Sequence, residues 1–108
     1  MTINNTSAET WFVYLLRCAD QSLYTGITND IARRVQQHGA GKASRYTRSR
    51  LPIALVYQET QPSRSVALKR ELAIKALPKA DKELLVATKK RKASGDRGND
   101  LQTPRLKS

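Results

Sequence analysis

Five polar side chains in this sequence are of types that could move protons and stabilise charge around a reacting group. They are Tyr14, Tyr24, Arg34, His38 and Glu71. Arginine grips phosphate oxygens through its planar fork, and one carboxylate can hold a Mg²⁺ that otherwise keeps its waters and takes phosphate oxygens. A tyrosine has a pKa of about 10, so it acts as a base only where nearby positive charge favours the phenolate. Either tyrosine could be that base, and the histidine could accept or relay a proton or orient a neighbour. Together these groups fit hydrolysis of a phosphate ester.

Each of these residues, taken alone, also has a purely structural interpretation. Tyr14 and Tyr24 could be half-buried strand tyrosines whose hydroxyls reach the rim of a core. Arg34 and His38 could lie along a core edge with their polar ends in water. Glu71 precedes a lysine by four positions, which is ordinarily a solvated ion pair on a helix. The joint occurrence of all five favours the functional interpretation.

Two short apolar runs, residues 11–16 and 23–27, surround a small polar break at residues 18–22. Aromatic and β-branched runs around such a break are typical of a β-hairpin. In an antiparallel pair centred in the break, Tyr14 lies opposite Tyr24 or one diagonal step from it. We therefore expect both phenols on one face of the sheet, whereas a one-residue change of register would separate them.

Residues 28–39 carry helix signals at both ends, with a capping residue, an acid in the first turn and a final glycine. At about 100° per residue, Arg34 and His38 fall on the border of the apolar stripe and Arg33 points away from it. The spacing therefore predicts that Arg34 faces inward and that Arg33 faces water.

The remaining elements are a strand and two helices. Residues 51–57 predict a third strand, with a proline at its start where a missing N–H is tolerated. Pro62 and Pro78 bracket a helix that carries Glu71, and residues 79–88 predict a last short helix. On a helical wheel Glu71 lies in an arc between apolar positions, where an unpaired acid is costly. The apolar positions that flank it are Ala67, Leu68, Leu72 and Ile74.

The chain carries a formal net charge of +11 in 108 residues, and this charge is unevenly placed. No acid occurs between Ile31 and Gln58, and the loop at residues 39–50 combines glycines, cations and a tyrosine. Such a loop suits contact with phosphates and bases, although it could also serve solubility alone. The segment from residue 89 onward adds more cations, so a polyanion is the favoured partner. The predicted nucleic-acid contacts are Lys42, Arg45, Tyr46, Arg48, Arg50, Lys89, Lys90, Arg91 and Lys92.

Several other classes of protein lack support in the sequence. The single cysteine, Cys18, cannot form an intramolecular disulfide, and no CxxC or Cys/His cluster indicates zinc. No apolar stretch approaches the roughly 20 residues of a membrane span, and the N-terminus lacks a secretion signal. There is no glycine-rich phosphate loop and no internal repeat. We expect a cytoplasmic protein with no membrane contact and no small-molecule cofactor.

The tyrosines, the arginine, the histidine and the glutamate together resemble the GIY-YIG nuclease family. Its two name motifs occur here as Phe12-Val13-Tyr14 and Tyr24-Thr25-Gly26, of which only the tyrosines and the final glycine match literally. The family places an arginine ten positions beyond the second tyrosine, which is Arg34, and some members place a histidine one turn later, which is His38. A glutamate on a later helix holds the metal in the family, and Glu71 matches that place. The sequence is most similar to the small stand-alone bacterial members of the YhbQ-like group.

The resemblance covers roughly residues 11–90 and implies an α/β fold, a small domain with a three-stranded, mainly antiparallel sheet flanked by helices. We expect a flexible N-terminus at residues 1–10, the GIY-YIG-like catalytic domain at residues 11–88 and a disordered basic tail at residues 89–108.

The resemblance also implies a metal-dependent endonuclease that uses Mg²⁺ or Mn²⁺ at Glu71. DNA is favoured over RNA as the substrate, in branched, nicked or single-stranded form. Sequence specificity should be low, because no helix-turn-helix or zinc finger is present to read base edges. The alternative is a non-catalytic DNA- or RNA-binding module with the same fold. A basic adaptor for an acidic protein or membrane surface would explain the tail but not the tyrosines, Arg34 and Glu71.

Overall fold

The computed structural model describes residues 10–94, with side chains as far as Thr88. Three strands form one antiparallel sheet in the order β2-β1-β3, and four helices accompany it, so the predicted fold class is confirmed. In chain order the elements are β1 (Trp11–Arg17), β2 (Leu23–Thr28), α1 (Ile31–Gly39), α2 (Arg45–Arg48), β3 (Ala54–Gln61), α3 (Arg64–Lys75) and α4 (Lys79–Ser94).

The hairpin of β1 and β2 has the register that the sequence predicts. Tyr14 pairs with Gly26 and Leu16 pairs with Tyr24, so the two tyrosines lie one diagonal step apart on the same face. Their ring centroids are 6.5 Å apart. Gly26 is required here because a Cβ at this position would lie 2.6 Å from Cζ of Tyr14. The second motif therefore ends in a residue that makes room for the phenol of the first.

Alternation along β1 separates the apolar core from the polar site. Val13 and Leu15 point to one face of the sheet, where they form a buried cluster with Ala67 and Ile74 of α3 and with a valine of α4. Tyr14 and Leu16 point to the opposite face. The buried side chains of Val13 and Leu15 hold the backbone of β1 in place, and this fixes the position from which the Tyr14 side chain projects on the other face.

The ends of α1 differ in detail from the prediction. Asp30 is the N-cap rather than a first-turn acid, and its carboxylate accepts a hydrogen bond from the backbone N–H of Arg33 at 3.1 Å. The helix ends at Gly39 as expected, but the residue with left-handed backbone is Gly41, with φ of 76°. Its N–H donates to the carbonyl of His38 at 3.0 Å. Gly41 thereby turns the chain back toward α1.

The faces of α1 are only partly as predicted. Arg34 is half-buried and Arg33 is exposed, which confirms the inward and outward orientations. His38, expected on the border of the apolar stripe, is instead fully buried.

Two other predicted boundaries are wrong. The third strand begins at Ala54 rather than at residue 51 and continues to Gln61, because residues 58–61 pair with the first half of β1. The last helix continues to Ser94, so the tail boundary predicted at residue 89 falls inside α4. The predicted flexible residues 1–9 and the tail from residue 95 onward lie outside the described residues, as do the side chains of the four tail cations Lys89, Lys90, Arg91 and Lys92.

Two ion pairs hold the long helices against the sheet. Nε of Arg70 on α3 donates to Glu59 on β3 at 2.7 Å, and the same carboxylate accepts from the Tyr57 hydroxyl. Arg17 at the end of β1 donates to Glu83 on α4 at 2.7 Å. The first pair fixes the segment of α3 that directly precedes Glu71. None of the helices in the described part of the chain is apolar and long enough to cross a membrane.

Candidate active site

A chain of hydrogen bonds runs from the sheet through α1 to α2. The Tyr14 hydroxyl and Nε2 of His38 are 2.9 Å apart, and Nδ1 of His38 and Oγ1 of Thr47 are 2.8 Å apart. All three side chains are 1% exposed or less. The structure therefore brings two of the predicted site residues into direct contact and adds Thr47, a third residue that the sequence reasoning missed.

The hydrogen bond from Thr47 to a backbone carbonyl favours one of the two neutral forms of His38. Oγ1 of Thr47 donates to the backbone carbonyl of Ser44 at 3.3 Å, and a carbonyl can only accept. With its one proton used there, the Thr47 hydroxyl accepts from His38, so Nδ1 bears the hydrogen of the neutral ring. Nε2 then presents its lone pair to Tyr14, and the phenol donates to the imidazole.

Both partners of this hydrogen bond are neutral at physiological pH. Burial, with smaller contributions from Tyr24 and Glu71, raises the pKa of Tyr14 to about 12 against the opposing effect of Arg34. Burial lowers the pKa of His38 to about 4, and the positive charge of Arg34 adds to that effect. The resting site thus holds a proton donor and a proton acceptor in contact, with Arg34 acting on both.

The depressed pKa of His38 should make the stability of the fold depend on pH. In the unfolded chain this single histidine takes up a proton near pH 6.5, whereas in the folded chain it does so only near pH 4. Its contribution to stability is present above pH 6.5 and is lost as the pH falls through 4. We expect a loss of up to about 3 kcal/mol in the free energy of unfolding across this window.

Urea unfolding of the wild type and His38→Gln between pH 7 and pH 4 measures this effect. The variant controls for the carboxylates that also titrate in this range. An identical pH dependence in the two proteins would show that His38 is not held neutral by its burial.

Arg34 and Glu71 lie within electrostatic reach of the same phenol. Arg34 also donates to Gln37 at 3.0 Å, which holds its side chain along α1. The Glu71 side chain is 15% exposed, and its carboxylate is 3.4 Å from Nζ of Lys75. Of the apolar residues that flank Glu71 on the helical wheel, Ala67 and Ile74 are buried whereas Leu72 is 66% exposed, so only one side of the arc is fully covered. Glu71 therefore lies at the rim of the site.

A divalent cation fits this arrangement only through Glu71. Within residues 10–88 no group of three or more histidine, cysteine, aspartate or glutamate side chains is placed to bind a metal. One carboxylate suffices for Mg²⁺, which keeps most of its waters and completes its shell with phosphate oxygens of a substrate. Glu71 is the residue that would hold such an ion.

Tyr24, the tyrosine of the second motif, contacts the site through its aromatic ring. Its ring stacks on Tyr46 at 5.9 Å between centroids and meets His38 at 5.1 Å. The guanidinium of Arg50 lies 3.8 Å from the centroid of Tyr46 and bonds to Asp20 at 2.9 Å. These contacts make a side wall for the site and connect it to the hairpin loop.

The cations of the predicted basic loop at residues 39–50 differ in their availability for a ligand. Arg50 is committed to Tyr46, Asp20 and backbone oxygen, and residues 45–48 form the short helix α2 rather than a flexible loop. Lys42, Arg45 and Arg48 are exposed. These three cations are the ones that can reach a phosphate backbone without breaking an existing bond to Tyr46 or Asp20.

Thr47 carries a sequence signal that could have identified it. Ser44 caps α2, because its Oγ accepts from the backbone N–H of Thr47 at 3.1 Å. Serine is among the residues favoured at a helix N-cap. This signal predicts the turn but not that the Thr47 hydroxyl meets His38, because that contact joins residues from two different elements.

Comparison with known proteins gives consistent matches. The family model described as the GIY-YIG catalytic domain matches residues 10–84. A UPF0213 protein of Desulfotalea psychrophila is 55% identical over 82 residues, covering 75% of this chain and 74% of that protein. The UPF0213 protein YhbQ of Escherichia coli is 44% identical over 98 residues, covering 91% and 96%. A solution NMR structure of a protein from E. faecalis aligns with a TM-score of 0.53 at 29% identity, covering 87% of this chain and 98% of that chain.

Proposed function

Because the chain belongs to the GIY-YIG family, in the group that includes the UPF0213 protein YhbQ, we propose that it is a metal-dependent endonuclease. Its substrate is DNA, selected by structure rather than by sequence. The observation that carries this proposal is the 2.9 Å contact between Tyr14 and His38, with Arg34 and Glu71 acting electrostatically on the same phenol. A phosphate bound there would meet a cation, a proton donor and a proton acceptor.

Arg34 and Glu71 have separate tasks in this proposal. The guanidinium of Arg34 binds the scissile phosphate and stabilises the charge that develops on its oxygens. Glu71 would hold the divalent cation, which would supply Lewis acidity for the reaction at the phosphate. The Glu71 contact with Lys75 keeps the carboxylate oriented on α3 until the substrate arrives.

Tyr14 and His38 together accept the proton of the attacking water. As the water oxygen bonds to phosphorus, its proton passes to the Tyr14 oxygen while the phenol proton passes to Nε2 of His38. The bond from phosphorus to the leaving oxygen breaks, and that oxygen takes a proton from solvent. Tyr14 is favoured over Tyr24 as this residue because its proton has an acceptor at 2.9 Å.

The bound substrate makes this transfer easier. In the resting site burial is the main cause of the weak basicity of His38, and the charge of Arg34 weakens it further. A phosphate on Arg34 neutralises that charge, so the basicity of His38 rises when DNA is bound. Proton transfer is therefore coupled to occupation of the site.

Thr47 should control the rate through the orientation of His38. Thr47→Val removes the acceptor for Nδ1–H and leaves a buried donor without a partner, whereas Thr47→Ser keeps the hydroxyl. We expect about a hundredfold loss of kcat in the valine variant, the scale of a disrupted general base, with near-native rates in the serine variant. The ring ¹⁵N shifts of the single histidine provide a second readout, since the valine variant should shift toward the Nε2–H form. Equal rates in both variants would contradict this role.

Incubation of the full chain with branched, nicked, single-stranded and fully paired DNA, in Mg²⁺ and in EDTA, tests the proposed function. We expect Mg²⁺-dependent cutting of the first three and little cutting of the duplex. Binding without cutting in any metal would favour a non-catalytic binding module. Equal cutting of RNA of the same shapes would show that the substrate class is nucleic acid in general and not DNA alone.

A further inference from the structure

A groove of about 300 Å³, open to solvent, lies beside the proposed active site. Trp11 and Ile27 form its apolar lining, and its polar lining includes Asp30, Gln37 and both neighbouring arginines, Arg33 and Arg34. We propose that this groove binds one unpaired nucleotide of the substrate, with the base stacked on Trp11 and an adjoining phosphate on Arg34. The inference rests on the proposed function, because Arg34 belongs to both the groove and the site.

The size and lining of the groove suit a single base. A volume of this order is at the lower end of small-molecule sites, which is enough for one nucleotide but not for a base pair. Trp11 is partly buried and packs against the buried core cluster, which limits the movement of its ring. Flat aromatic surfaces stack any of the four bases, at about 1–3 kcal/mol per base.

The charges of the groove match the two ends of a nucleotide. Arg34 supplies the cation for a phosphate, and it is already tied to Gln37 at 3.0 Å on the groove side. Asp30 accepts one bond from a backbone N–H at 3.1 Å, and a carboxylate has further lone pairs for the exocyclic amine of a base. The guanidinium of Arg64 lies over the Trp11 ring, 5.8 Å from its centroid, so a base that stacks on this face displaces the Arg64 side chain.

This groove gives a physical origin for structure selectivity. A base that enters it must leave its stack and its pairing partner, which costs a few kcal/mol in a duplex and least where the base is already unpaired. Flaps and single-stranded ends supply such a base without that cost, and at a nick the cost is reduced because the base pair beside the break has lost its continuous backbone. Fully paired DNA of any sequence does not supply one.

Trp11 is the only tryptophan of the chain, so its fluorescence reports directly on this groove. Wild-type protein in EDTA is titrated with a labelled flap DNA, and a gel confirms that the DNA stays intact. The same titration is made with flaps that carry one abasic site at successive positions around the junction. We expect the intact flap to quench the tryptophan emission, and one abasic position to remove the quenching and weaken binding about tenfold.

Substitution of the ring provides a matched pair. Trp11→Leu should weaken flap binding about tenfold while leaving duplex binding within about twofold, and Trp11→Phe should bind flaps nearly as the wild type does. Circular dichroism checks that both variants fold. If the leucine variant fails to fold, the titration of the wild type still tests the proposal.

Binding of the flap without a change in tryptophan emission, or with equal quenching by intact and abasic DNA, would overturn the groove assignment and leave the nuclease proposal standing. Absence of nucleic-acid binding altogether would overturn both.

Discussion

Glu71→Gln should abolish Mg²⁺-dependent cleavage while leaving the fold and DNA binding nearly unchanged. The substitution keeps the shape of the side chain and removes the charge that holds the cation. Because Lewis acidity at a phosphate contributes several kcal/mol, and each 1.4 kcal/mol is a factor of ten, we expect a loss of at least about three orders of magnitude in kcat. Single-turnover cleavage of a nicked substrate, with DNA binding measured in parallel, gives both quantities.

The salt bridge to Lys75 provides the matched control. Lys75→Gln breaks the 3.4 Å contact but keeps the carboxylate, so its cleavage rate should stay within a few-fold of the wild type. If Glu71 served only as the partner of Lys75, the two variants would lose activity equally. Normal cutting by Glu71→Gln would remove this residue from the metal site.

Arg34→Ala should reduce cleavage by about two orders of magnitude or more, whereas Arg33→Ala should have only a modest effect. The two side chains have the same chemistry and adjacent positions, but Arg34 is half-buried and Arg33 is exposed. Only Arg34 acts on the phenol of Tyr14 and on His38. The expected loss is the scale seen when a group that stabilises transition-state charge is removed.

Cleavage rates at saturating DNA separate the chemical step from binding in this comparison. Arg33→Ala serves as the control for the general loss of positive charge, and it should mainly raise KM in a salt-dependent way. Equal losses of kcat in the two variants would show that net charge, and not the position of Arg34, explains the effect.

The hairpin register and the faces of α1 were predictable because both follow from short-range periodicity. Pairing about the polar break places Tyr14 near Tyr24, and a turn of 100° per residue separates Arg33 from Arg34. The deep burial of His38 was not predictable in the same way. A helical wheel gives the direction of a side chain but not what covers it, and α2, which supplies the cover at Thr47, is too short to show any periodicity.

The exposure of Leu72 is a second case in which a helical wheel does not show whether another element covers a side chain. The helical wheel places Leu72 in the apolar arc around Glu71, yet this side chain is 66% exposed in the structure. Which faces of a helix become covered depends on the crossing of distant elements. The boundary of the last helix was missed for a related reason, since a run of cations is compatible with both a helix and an unstructured tail.

The close fit of Tyr14 against Gly26 means that the two name motifs depend on each other. A Cβ at position 26 would occupy the space of the phenol ring, and no smaller residue at position 14 keeps both a phenolic proton and the reach to His38. Positions 14 and 26 are therefore epistatic, because a change at Gly26 cannot be compensated at Tyr14 without loss of the reacting group. A lineage that drifts at this glycine keeps the sheet but gives up the proton pathway. Under the proposed function, we expect the residue at position 26 to distinguish domains of this fold that cut nucleic acid from those that only bind it.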